Sequence, residues 1–582
     1  MATEHLLQEF PPVSTQLWEE VIRKDLKGAD YAKKLIWQSE EGLAVRPYYR
    51  SEDTAGLEYP DTAPGVFPYA RCAKSSGDWR IREEIDAADL VQANQAAHSA
   101  IHAGAEEIAF SNASIGKAED LGTLLAGLDE IPVHLADAGE PLLRLIMEKL
   151  KGRQRPSPVS TGWNPLSNLD FAAEVVAAAS SMFIPFTIQA EGFAESGGTA
   201  AEEVGFALAA GIDFLAGMQA RKVDVDRAAA SVTFSFAMGT SYFFQIAKLR
   251  AFRMVWAQAV KSFGGGKESA KARIHARTSR WNETIFDPHV NILRGTTETM
   301  SAVLGGADSI SVAPFDECYK TPDEASRRLA RNTQVVLKQE SLLSRVADPG
   351  AGSYCLEVMT NFLAQEGWKL MQGIEAEGGY GKAEAAGKIA QALKLSLAAK
   401  EKAVLSRRMI FTGTNQHPNL TEKALDRIDL SHPGGGRRGA EVYEQLRLRT
   451  ECHAAKTGKT PRVLLAEIGD AKMRTARSGF AANFFGCSGF DLVTQRFSSV
   501  DEIAAADADL IVLCSSDPEY LQLATELISK LNAAGRKTQV IVAGSPDSTE
   551  QLQVAGVADF VHLRSNPIEL LAKWQQRLGI KD

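Results

Sequence analysis

No run of 18 apolar residues occurs in this 582-residue chain, so a membrane-spanning helix is not expected. The start, Met1-Ala2-Thr3-Glu4-His5, lacks a basic stretch followed by an apolar one, so export is not expected either. Cysteine is scarce. The six, Cys72, Cys318, Cys355, Cys452, Cys487 and Cys514, are far apart and form no CxxC pair, which argues against a disulfide framework and against a zinc site. A reduced, cytoplasmic setting is the expectation. A basic stripe is missing too: the net charge is -9 and the lysines and arginines are scattered, so no nucleic-acid partner is expected. What is present is an ordinary globular composition, 45% hydrophobic, long enough for several domains of roughly 100 to 250 residues each.

Residues 1–83 are irregular, with Pro11-Pro12, an amphipathic stretch from Trp18 to Leu26 and a strand-like pair between Trp37 and Tyr49, and they read as an arm for subunit contacts. From 84 to 400, short apolar runs alternate with alanine-rich helical stretches, the pattern of parallel strands joined by helical crossovers. Eight strands are predicted: Glu107 to Phe110, Ile131 to Leu135, Pro158 to Thr161, Phe186 to Ala190, Asp213 to Met218, Val232 to Phe236, Ala272 to Ala276 and Ser309 to Val312. That count predicts a (β/α)8 barrel, with any chemistry at the C-terminal strand ends. Residues 401–459, with Gly413, Asn415, Pro418 and His432-Pro433-Gly434-Gly435-Gly436-Arg437-Arg438, show little periodicity and read as a connecting belt. Over 460–582 come five more strands, Arg462 to Ile468, Phe490 to Val493, Leu510 to Cys514, Thr538 to Ala543 and Phe560 to Leu563, with helical segments such as Glu519 to Ala533 between them. This predicts a small doubly wound, flavodoxin-like (Rossmann-like) domain.

Architecture alone does not give function. The stretch Ser241-Tyr242-Phe243-Phe244-Gln245-Ile246-Ala247-Lys248-Leu249-Arg250 resembles the segment after the sixth barrel strand in adenosylcobalamin-dependent acyl-CoA mutases of the methylmalonyl-CoA mutase family. In the same order follow His275-Ala276-Arg277-Thr278-Ser279-Arg280-Trp281, Asp287-Pro288-His289-Val290-Asn291, Glu298 to Gly306, Phe315-Asp316-Glu317, Ala330-Arg331-Asn332-Thr333-Gln334 and Val346-Ala347-Asp348-Pro349-Gly350. Ordered agreement across 230–360 is far more specific than one short motif, and Lys24-Asp25-Leu26-Lys27-Gly28 and the tail extend it over most of the chain.

The resemblance implies radical chemistry that begins with cobalt–carbon homolysis in a closed cavity. In a working subunit it implies four features: an Asp-x-His-x-x-Gly loop for the lower cobalt ligand, a Tyr-His pair after the fourth barrel strand, an arginine for the substrate carboxylate, and a tyrosine-rich N-terminal segment. The loop here reads Gly469-Asp470-Ala471-Lys472-Met473-Arg474-Thr475, with Lys472 or Met473 at the ligand position and no histidine; the domain's one histidine is His562. A protonated lysine has no lone pair to give, and methionine lacks the second nitrogen through which an aspartate tunes a histidine ligand. The Tyr-His pair falls on Glu191-Gly192. Glycine cannot polarise a thioester carbonyl, and an unpaired glutamate is costly in a dry cavity. No arginine lies between Gly162 and Ala190; Asp170 falls near the family position and Arg155 is a remote candidate. His275 matches a family histidine, but its companion glutamine is Arg277.

Blander readings stand beside these. A lone histidine at a strand end, such as His275, is more often structural, and Glu191 to Gly198 also reads as a plain strand-to-helix connection. Gly264-Gly265-Gly266-Lys267 lacks Walker spacing, and Gly434 to Arg438 reads as a hinge. Arg71 and Arg82, near the barrel entry, read as solvated surface arginines in reach of a CoA phosphate. The resemblance then implies the small, or beta, subunit of a heterodimeric mutase, binding no cofactor or metal itself. The catalytic large subunit carries the adenosylcobalamin and interconverts succinyl-CoA and (R)-methylmalonyl-CoA, as in propionate metabolism. The arm, with Trp18, Trp37 and Tyr48, is expected to wrap that partner. Two alternatives remain at this level: a standalone acyl-CoA enzyme using Glu191 or Asp170, and a mutase-loading or chaperone module that dissociates on purification.

Overall fold

The computed structural model describes residues 12–151, 157–180, 182–429, 432 and 436–581. Pro11, Arg155 and Pro433 to Gly435 lie outside the described residues.

Within the N-terminal segment, Ser14 caps the helix Thr15–Asp25 by accepting from Leu17 N, and Asp30 caps Tyr31–Leu35 in the same way. Trp37–Gln38 then pairs antiparallel with Ala44–Val45. At the turn of this hairpin, Glu41 accepts hydrogen bonds from Ala200 N (2.9 Å) and Ala201 N (3.0 Å). The carboxylate thereby satisfies orphan N–H groups at the start of the 21-residue helix Ala200–Ala220 and fastens the segment to the barrel.

Nine parallel segments form the main sheet: β1 (Arg80–Asp86), β2 (Glu107–Ser111), β3 (Val133–Leu135), β4 (Val159–Thr161), β5 (Phe183–Ile184), β6 (Phe186–Gln189), β7 (Val232–Met238), β8 (Ile274–Thr278) and β9 (Ser309–Ser311). Their order is β5-β4-β3-β2-β1-β9-β8-β7-β6. Only Pro185 separates β5 from β6; it has no N–H to give a ladder, so the two act as one interrupted stave. Thr187 beyond the proline donates its Oγ1–H to Thr161 O (2.7 Å) and its N–H to Trp163 O (3.0 Å), which closes the ring as a (β/α)8 barrel.

Eight staves agree with the sequence count, through two compensating differences. Asp213 to Met218, predicted as a strand, lies inside the helix Ala200–Ala220, which is buried on nearly every side between the barrel and the helix Tyr354–Ala376. An apolar run of this kind carries no periodicity to separate helix from strand. Conversely, Arg80-Ile-Arg-Glu-Glu-Ile-Asp86 is a strand whose charged residues point partly into the barrel, and its composition concealed it.

The tail sheet, β10 (Arg462–Glu467), β11 (Asp491–Arg496), β12 (Leu510–Cys514), β13 (Gln539–Val542) and β14 (Asp559–Phe560), is parallel in the order β11-β10-β12-β13-β14. This is the doubly wound, flavodoxin-like order, with apolar clusters on both faces around Trp574 and Tyr520. The last strand is shorter than predicted, and Leu563 is 90% exposed beyond it. In 401–459 the structure has a 17-residue helix, Glu441–Thr457. Its buried face includes Glu444, Arg447 and Thr450, so the apolar periodicity that would have revealed it is absent. Glu444 is bound by Ile285 N (2.8 Å) and Arg438 (2.7 Å), which bolts this helix to the barrel's C-terminal end. Among the described residues no helix is long and apolar enough to cross a membrane.

Candidate functional site

Alternate residues of a barrel strand point inward. Arg82 and Glu84 of β1, His134 of β3, Ser235 of β7 and His275 and Arg277 of β8 meet Glu191, just past β6, around a cavity of about 310 Å³. At its floor Arg82 and Arg80 converge on Glu107, with Arg82 Nε at 2.9 Å and Arg80 Nε at 2.7 Å. Burial pushes the Glu107 carboxyl up, but the two guanidiniums outweigh it and hold the pKa below the usual range. Arg82 is therefore a buried residue of the barrel interior and not a solvated one: its aliphatic stem and its charge are both enclosed, and Glu107 supplies the compensation. Arg71 donates to Pro60 O instead.

His134 Nδ1 lies 2.9 Å from Ser160 Oγ, and His275 Nδ1 lies 2.9 Å from Ser309 Oγ. Burial, followed by the positive field of Arg82, holds both rings neutral; His134 is lowered to about 3. Above them Arg277 reaches Glu84 (3.1 Å) and Glu317 (2.8 Å), and Arg280 joins Glu317 at 2.7 Å. Arg277 thus spends its guanidinium on neighbouring carboxylates.

Glu191 opens a short helix, Glu191–Glu195, so this stretch is more than a connection: its first side chain lines the cavity. Burial raises the Glu191 pKa; Ser235 beside it eases the shift without making a hydrogen bond of good geometry. Gly192 points away, and a Cβ there would meet nothing within 4 Å. Asp170 is not brought to the cavity. It sits on the outer helix Leu169–Ala178, 86% exposed and paired with Arg221 at 2.7 Å. In the glycine run 264–266, Gly266 N donates to Asp226 at 2.6 Å.

In the tail, Asp470 caps the helix Ala471–Gly486 by accepting from Lys472 N (3.1 Å) and Met473 N (2.8 Å). Gly469 adopts φ +77°, and a Cβ there would lie 2.4 Å from Glu519. Glu519 accepts from Asp470 N, Ser515 Oγ and Ser516 Oγ; the hydroxyls, foremost, draw its pKa down to about 2. Lys472 is exposed and Met473 half-buried. His562 lies beyond β14, where its Nδ1 accepts from Arg564 N.

Sequence reasoning missed His134 as a cavity residue, although its place between Val133 and Leu135 in a predicted strand put it on the inward face. It also missed Glu283, buried at the barrel's end between Arg277, Arg280 and Arg438, which burial and then Glu317 push up to about 8. A carboxyl with a raised folded-state pKa supports the fold below its unfolded value, 4.5, and withdraws that support as pH rises toward 8. Glu283→Gln is therefore expected to melt higher than wild type at pH 8 and at nearly the same temperature at pH 4.5. Identical shifts at both pH values in calorimetry would contradict this assignment.

A family profile described as methylmalonyl-CoA mutase matches residues 167–458. A protein of Porphyromonas gingivalis named methylmalonyl-CoA mutase small subunit is 37% identical, covering 99% of both chains. One of the same name from Streptomyces virginiae is 32% identical over 99% of this chain and 98% of its own. The methylmalonyl-CoA mutase of Rhizobium meliloti is 27% identical over 90% of this chain and 81% of its own.

Proposed function

The chain belongs to the methylmalonyl-CoA mutase family, and from that premise we propose that it is the non-catalytic small subunit of a heterodimeric mutase. Its partner is the catalytic large subunit, which carries adenosylcobalamin and interconverts succinyl-CoA and (R)-methylmalonyl-CoA. The observation that carries this reading is where the structure places the residues that the resemblance sets at the family's catalytic positions. Glu191, which the resemblance puts with Gly192 at the Tyr-His pair, lines the cavity as a carboxyl, and Asp170 faces solvent on the outside of the barrel. Arg277 is tied to Glu84 and Glu317.

The tail's residues do not fit cobalamin held in the family manner. Asp470 is engaged as a helix cap rather than behind an imidazole, and Glu519 holds the adjoining backbone down. The cofactor is accordingly assigned to the partner. What this chain contributes is a rigid homologous body that supports the partner's barrel and keeps its cavity closed.

A further feature supports a permanent partner. The arm helix Thr15–Asp25 buries none of its residues: Leu17 and Val21 are 55% and 59% exposed, and Trp18 stacks on Tyr48 at 5.3 Å. An unpartnered apolar face beside a pre-ordered aromatic pair is suited to a protein interface.

The test is co-expression with a catalytic homologue. A one-to-one complex that survives gel filtration supports a structural subunit, and dissociation would favour a loading factor. Leu17→Asp with Val21→Asp is expected to weaken the pair by at least about thirtyfold. Because both side chains are exposed, the isolated chain should keep its melting temperature. Unchanged affinity by titration calorimetry would remove the arm from the interface.

A further inference from the structure

Barrel interiors are ordinarily filled by layers of branched apolar side chains. In this chain Ala109, Ser111, Thr187, Thr233 and Ser235 face a cavity of about 310 Å³ at the C-terminal strand ends. We propose that this cavity is a binding site for a short-chain monocarboxylate of about two to five carbons. The proposal does not depend on catalytic silence, because it concerns occupancy and not turnover.

Size sets the first limit. At roughly 30 Å³ per water-sized group, the space holds about ten such groups, which suits a small acid and not a CoA thioester. Beside it the Arg80–Glu107–Arg82 cluster ties the neighbouring strands β1 and β2 together.

Charge sets the second. Arg82 is 7% exposed and engages Glu107 through Nε and Nη2, with no bond from Nη1 to a protein acceptor among the described residues. Arg82 opposes protonation of both His134 and His275, and at His134 it outweighs Glu107. In the tautomer whose Nδ1 accepts from the neighbouring serine hydroxyl, the ring proton sits on Nε2 and the imidazole is a donor. Arg82 and the two imidazoles thus form a donor set for one carboxylate.

The opposite wall sets the third. Ser235 is 3% exposed, and among the described residues neither its Oγ nor Oε2 of Glu191 makes a hydrogen bond of good geometry, although the two side chains are close enough for Ser235 to ease the Glu191 carboxyl. Buried polar atoms left in this state are costly, and a ligand that reaches them removes the cost. Burial shifts Glu191 toward its protonated form, in which the carboxyl donates a hydrogen bond to a hydroxyl or carbonyl oxygen on the acid's tail. A second carboxylate there would meet Glu84, Glu195 and Asp137, while Arg277 and Arg280 on the same lining are already engaged by Glu84 and Glu317, which disfavours dicarboxylates.

The experiment is saturation-transfer NMR and calorimetry on the full chain, with and without its catalytic partner, using butyrate, butyramide, succinate and CoA as probes. Butyrate is expected to bind at one site, with butyramide and succinate roughly tenfold weaker or more. Ser235→Leu, which fills the cavity, should abolish butyrate binding while circular dichroism and melting temperature hold. Should that variant fail to fold, the butyrate–butyramide comparison on the wild-type chain decides alone. Absence of butyrate binding would mean that the cavity holds only water, and equal binding of butyrate and butyramide, or tighter binding of succinate or CoA, would equally overturn the proposal.

Discussion

Arg250→Ala is expected to destabilise the chain by about 3–5 kcal/mol, because it leaves two buried carboxylates without their counter-charge. Arg250 is fully buried in the helix Tyr242–Ser262; its guanidinium binds Asp348 at 2.6 Å and Glu357 at 2.7 Å, both almost fully buried themselves. Burial raises the Asp348 pKa, and Arg250 is the main group that opposes the rise. Urea denaturation measures the loss. A change below about 1 kcal/mol, the range of an exposed pair such as Arg23–Glu19, would show that the carboxylates are relieved by other means.

The second large effect is on turnover. The chain alone, supplied with adenosylcobalamin and succinyl-CoA, is expected to form no methylmalonyl-CoA, at a rate at least about a millionfold below that of the reconstituted heterodimer. Met473→Ala in this chain should leave the heterodimer's turnover and cobalamin content unchanged, since the contact Met473 makes at this loop is a backbone N–H donated to Asp470, which alanine keeps. Turnover by the isolated chain, or loss of cobalamin in that variant, would mean that the tail loop is functional.

The motifs that made the family legible turn out to hold the scaffold together. Arg250 closes the Ser241 to Arg250 stretch and Asp348 is the centre of Val346 to Gly350, and the two meet in one ion pair across 98 residues of sequence. Gln334, from the Ala330 to Gln334 motif, accepts from the Trp79 indole N–H, and Asn282, after Trp281, donates to Glu298. Such long-range polar contacts constrain residue types, which is why these stretches carry the family's pattern.

Other features were hidden for physical reasons. Local reading could not separate a helix buried on all sides from a strand at Asp213 to Met218, nor find a strand in the charged run Arg80–Asp86. At the candidate site, Glu191 and His275 were legible because they flank predicted strand ends. Asp170 was misplaced because its helix turns that side chain outward to Arg221. Arg82 was taken for a surface residue because its partner Glu107 lies 25 residues away, on the next strand.

The most direct measurement is the cobalamin content of the purified complex, by absorbance against total protein, with each subunit then separated and tested for rebinding. The account predicts one cobalamin per heterodimer, all of it rebinding to the large subunit and none to this chain. Two cobalamins per heterodimer, or cobalamin bound by this chain alone, would contradict it.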